Sequence, residues 1–94
     1  MNQWLKINQK LDCLLEISDL LKIPNKIVLN KTKNLLIYLY KNDYPAPNHL
    51  TIYRQEYLDI VWQFDLVYIN IRVSMDSKQL KCYFDQQLIL EKGW

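Results

Sequence analysis

Trp4, Ile7, Leu11, Leu14, Leu15, Ile17 and Leu21 recur at helical spacing, and a helical projection gathers them in one stripe with Asn8, Asp12, Glu16 and Asp19 outside it. The pattern predicts a first helix ending near Lys22, because Pro24 has no N–H to donate and disfavours helical backbone at Ile23. Asn25 then stands where a second helix would be capped, with Val28, Leu29, Thr32, Leu35, Leu36, Leu39 and Tyr40 on its inward side. The two helices form an antiparallel hairpin. Ile37 and Tyr38 point away from the inward side, so they are either wrapped by other elements or exposed.

Asn42-Asp43-Tyr44-Pro45-Ala46-Pro47-Asn48 stops the second helix, since alternating prolines enforce extended backbone and Asn and Asp favour turns. From there the hydrophobic period drops to two. Leu50, Ile52 and Arg54 alternate with Thr51 and Tyr53 in a first strand. After Gln55-Glu56, Leu58, Ile60, Trp62 and Phe64 alternate with Tyr57, Asp59, Val61 and Gln63 in a second. Val67, Ile69, Ile71 and Val73 alternate with Leu66, Tyr68, Asn70 and Arg72 in a third, closed by Ser74-Met75-Asp76-Ser77, and Leu80, Cys82 and Phe84 supply a fourth. Gln86 to Trp94 reads as a short helix or as an extension of the fourth strand. Helices with one apolar stripe and a meander with one aliphatic face bury each other most economically as two layers. The expected fold is therefore α+β, with two N-terminal helices packed on one face of a four-stranded antiparallel meander and residues 1–94 forming a single domain.

Composition narrows the function classes. The chain has 94 residues, half of them hydrophobic and 13% aromatic, with a single glycine, which is the makeup of a packed core and not of a linker. A net charge of +2 is too small a surplus to imply a polyanion partner, so nucleic acid is disfavoured. No apolar run approaches the roughly 20 residues of a membrane span, and no basic segment followed by an apolar one marks a secretory leader. A cytoplasmic protein without membrane contact is expected. Cys13 and Cys82 lie within apolar patterns and lack neighbouring ligands, so both are expected to be reduced, buried small hydrophobes.

The layout resembles a group of small bacterial and phage proteins of unknown or antitoxin-like role, in which helices lead through a Pro-x-Pro connector to a strand, a turn and a strand ending in hydrophobic-x-Trp. The matching residues are Tyr44-Pro45-Ala46-Pro47, Leu50-Thr51-Ile52, Leu58-Asp59-Ile60-Val61-Trp62 and Val67-Tyr68-Ile69-Asn70-Ile71, about the central third of the chain. Where such proteins favour Asp-Gly at the turn, this chain has Gln55-Glu56. The resemblance brings no catalytic residues with it.

No catalytic set assembles from the sequence. His49, the one histidine, has only Asp43 and Glu56 as candidate orienting carboxylates and reads as a surface residue. Asp12, Glu16 and Asp19 read as the solvated side of the first helix, and no Gly-rich turn could cradle a phosphate. No enzyme activity, metal or cofactor is therefore expected. The sheet parity opposite the aliphatic face carries Tyr53, Tyr57, Val61, Tyr68, Arg72 and Tyr83, a set of residue types typical of protein–protein hot spots. Rings in this arrangement also stack single-stranded bases, but the motifs of a dedicated RNA-binding sheet are missing. The reading is a binding module that neutralises or occludes a protein partner, with the exposed side of the second helix at Ile37 and Tyr38 as the competing surface. The alternatives are a subunit of a larger assembly, a homodimeric structural protein or a single-strand binder.

Overall fold

In the computed structural model, which describes residues 2–21, 26–53 and 56–94 and leaves the side chains of 19–21 aside, α1 spans Gln3–Leu21 and α2 spans Lys26–Lys41. Both keep the stripes expected of them except at Tyr40, with the Leu21 side chain outside the described residues. Ile7 and Leu11 of α1 are buried against Val28, Leu29, Leu36 and Leu39 of α2, and contacts between Trp4 and Tyr40 and between Asp12 and Lys33 set the helices antiparallel. The Asn2 side chain caps α1 by accepting the Trp4 N–H at 2.9 Å. Asn25, expected to cap α2, lies outside the described residues.

Asp43 ends α2 in the left-handed region, at φ 62°. Tyr44 N–H reaches back to the Leu39 carbonyl and Asp43 N–H to that of Tyr40, the paired bonds of a Schellman motif. Tyr44–Pro47 then runs without helical backbone into β1, as the two prolines require.

Five strands follow: β1 (His49–Tyr53), β2 (Tyr57–Phe64), β3 (Val67–Ser74), β4 (Lys78–Phe84) and β5 (Gln87–Gly93). They form one antiparallel sheet in chain order. Five, not four, is the correction to the sequence reading, and the undecided residues Gln86 to Trp94 supply the extra strand. The turn into β5 places both Asp85 and Gln86 at positive φ, 48° and 67°, the requirement of a two-residue type I′ hairpin that Asn-Gly would meet without strain. Gln86→Gly is accordingly expected to stabilise the fold by about 1 kcal/mol. A urea midpoint that stays put or falls would show that Gln86 sits there without cost.

The register matches the period-two reading: Leu58 opposes Val73, Ile60 opposes Ile71 and Trp62 opposes Ile69, all facing the helices. Trp62 is 5% exposed, and its indole N–H donates to the Pro45 carbonyl at 2.9 Å. Three expectations about burial fail. Tyr40 was placed inward, yet it is exposed and meets Trp4 edge-on at 5.7 Å on the rim of the helix pair. Cys13 is exposed because it falls two residues from Leu11, on the far side of α1 from the stripe; Cys82 is half-buried, and both thiols are free. Phe64 and Phe84 carry the inward parity but remain exposed, since the helix layer does not reach them.

That layer is off-centre. Contacts of α2 fall on β2 and β3, while α1 reaches toward β1, with Lys10 Nζ donating to the Leu50 carbonyl at 2.7 Å and Gln3 Nε2 to those of Pro47 and Asn48. Among the described residues none covers β5, every residue of which is exposed, and β4 is at most half-buried. No described helix is long and apolar enough to cross a membrane.

Candidate functional site

The face of the sheet away from the helices does collect the aromatic set read from the sequence, in two clusters. Tyr53 and Tyr57 stack with ring centroids 5.0 Å apart, and the Arg72 guanidinium lies 4.0 Å from the Tyr57 centroid and 5.6 Å from that of Tyr53. Tyr68 and Tyr83, cross-strand partners on β3 and β4, meet edge-on at 5.9 Å. Two of the six residues are nevertheless committed to the fold. Val61, between His49 and Asn70 on its neighbouring strands, is 1% exposed and offers a partner no surface. Arg72 donates from Nε and Nη2 to the two carboxylate oxygens of Asp59, at 2.9 and 3.2 Å, and Asp59 is 3% exposed. This hydrogen bond, which outweighs the cost of burial, raises the Arg72 pKa above its ordinary value. The arginine is the counter-ion of a buried carboxylate before it is anything else.

The more available surface is on the helix side, over the half of the sheet that α2 leaves bare. A groove of about 760 Å³ runs between α2 and the β4–β5 hairpin, flanked by Lys31, Asn34 and Tyr38 from α2 and by Lys78, Leu80 and Lys92 from the strands. It deepens into a 330 Å³ apolar recess floored by Trp62, Ile69, Ile71 and Leu80. Tyr38 and Trp94, 58% and 51% exposed, stand on opposite sides, with Tyr44 closing one end. Trp94 is held there by backbone, because its N–H and carbonyl exchange hydrogen bonds with those of Lys78 at 2.9 Å each. The Lys78 ammonium lies 6.0 Å from the Trp94 centroid.

Three lysines therefore ring an apolar floor with no Asp or Glu side chain in the lining. Lys31 is anchored to the Ser74 and Met75 carbonyls at 2.8 and 3.0 Å, which fixes its charge at the groove's edge. Of the alternative surface, Tyr38 belongs to this groove and Ile37, though exposed, does not line it. Trp94 and Lys92 were missed in the sequence because their placement depends on a fifth strand, whereas Lys78 lies on β4 in parity with Leu80 and was passed over. The signal for Trp94 and Lys92 was the run Leu88-Ile89-Leu90 followed by charged residues, and for Lys78 the alternation it shares with Leu80.

The described residues hold no cluster of His, Cys, Asp or Glu suited to a metal. His49 is exposed at the start of β1, Glu56 is exposed in the turn beyond it, and Asp12 makes a 3.9 Å contact with Lys33 on the surface. What the groove offers is shape and apolar contact. No family model matches the chain, and neither the curated proteins nor the solved structures contain a match to it.

Proposed function

We propose that the protein is a non-enzymatic binding module that occludes or neutralises a protein partner, as an antitoxin, an immunity protein or a phage-encoded inhibitor does, and that it engages the partner through the groove between α2 and β4–β5. The observation that supports this reading is the exposure of Tyr38, Tyr44 and Trp94 around a concave apolar floor. Tyr and Trp are the residues in which interface energy concentrates, because a rigid ring buries much area at little entropy cost. A groove also desolvates its occupant's anchors more fully than a flat sheet face does. Tyr53, Tyr68 and Tyr83 on that outer face are the secondary surface.

The test is differential capture from the native host at physiological salt. Three baits are compared: the parent, Tyr38→Ala/Trp94→Ala, and Tyr68→Ala/Tyr83→Ala. A partner retained by the parent and the outer-face variant but lost from the groove variant is the expected result, corresponding to a loss of about 2 kcal/mol or more. The reverse pattern moves the interface to the outer face. Retention by all three leaves neither surface in play.

A further inference from the structure

The dimensions and charge of the groove say what kind of segment fits it. Strands lie about 4.8 Å apart, so the two that the helix layer leaves bare make a strip about 10 Å wide, the diameter of one α-helix. At about 3.3 Å per residue the seven residues of β5 run about 23 Å, the length of some fifteen helical residues. The total exposed surface agrees with a missing cover: 6339 Å² for 11.4 kDa, against roughly 5,800 Å² for a folded monomer of that mass.

We propose, building on the groove reading above, that the partner docks an acidic amphipathic helix alongside α2, as a third helix of the layer. Its apolar stripe covers Leu80 and the recess beneath Trp94, and its carboxylates meet Lys31 on one flank and Lys78 and Lys92 on the other. Helix-in-groove recognition of this kind needs anchors at i, i+3, i+4 and i+7 on one side and complementary charge at the rim. A second copy of this chain fits poorly. The inward stripe of α1 is already spent on its own core, leaving Asp12, Glu16 and the isolated Leu5 outside, and the outer side of α2 presents Lys33 and Lys41, which the groove's own lysines repel.

Three synthetic fifteen-residue peptides test this against the intact protein by titration calorimetry. Two are amphipathic helices with the same Leu/Ile/Phe stripe and either Glu or Lys on the polar side; the third has the composition of the acidic one rearranged to alternate with period two. The acidic helix is expected to bind at least about tenfold more tightly than either of the others, since three rim charges at a few tenths to one kcal/mol each amount to about that ratio. Lys78→Glu/Lys92→Glu is expected to reverse the preference between the Glu and Lys helices. Preference for the alternating peptide, charge-blind binding, or no binding by any peptide overturns the helix proposal. So does sedimentation of the free protein as a dimer that Trp94→Asp dissociates. Differential capture is read separately, so a groove that binds its partner in another form is distinguishable from a groove that binds nothing.

Discussion

Trp62→Ala is expected to remove about 3–5 kcal/mol of stability, a large share of the roughly 5–14 kcal/mol available to a chain of this length. The indole sits at 5% exposure beneath the helix layer, opposite Ile69, and ties the connector down through its bond to the Pro45 carbonyl. Truncation opens a cavity at the point where helix layer, connector and sheet meet. It also frees the connector that leads into β1. Urea unfolding followed by far-ultraviolet circular dichroism measures the loss. A midpoint shift equivalent to less than about 1 kcal/mol would mean that the ring is not the keystone its burial indicates. Trp62→Phe, which keeps a buried six-membered ring but loses the hydrogen bond and part of the indole volume, is expected to cost less than Trp62→Ala but at least about 1 kcal/mol.

The second large effect lies on the opposite side of the sheet. Arg72→Met is expected to cost about 2–3 kcal/mol, since it leaves the Asp59 carboxylate buried without its cation. The arginine side chain keeps 41% of its surface in solvent, and water entering at that side holds the penalty below that of a wholly enclosed pair. Asp59→Val in the Arg72→Met background should recover most of the loss, because an apolar pair of similar volume no longer contains an orphaned charge. A double variant as unstable as the sum of the two single ones would contradict the pairing argument. Alanine scanning of this face for binding therefore has to leave Arg72 out, or it will read unfolding as lost affinity.

Most of the architecture was legible because two hydrophobic periods dominate the chain and change where the prolines stand. The stripe of α2 apart from Tyr40, and the alternation in β2 apart from Phe64 and in β3, survive in the structure, as does the outward parity of the tyrosines. β5 was not legible, for two physical reasons. Its turn uses Asp85 and Gln86 in left-handed conformations, without the glycine that signals such a turn. Its alternation is broken by an irregularity: Cys82 opposes Leu90 while Tyr83 opposes Leu88, so Ile89 is an extra residue and three apolar side chains fall in succession. The groove vanished from the sequence reading along with β5. Tyr38 could be recognised as off the inward side of α2, but whether it was wrapped or open depended on how far the helix layer extends. Val61 marks a further limit, since parity assigns a side of the sheet but does not reveal that neighbours close over a short side chain in a central strand.

The unequal treatment of the two sheet edges has a consequence for association. The carbonyls at and leading into β1 are taken up by Lys10 and Gln3 of α1, whereas no described side chain hydrogen-bonds the backbone of β5. An edge whose Leu50 carbonyl already has a partner is a poorer template than the bare edge of β5, so pairing between copies is expected to begin at β5. Leu88, Ile89 and Leu90, in solvent on that outermost strand, would be the first apolar side chains such pairing brings together.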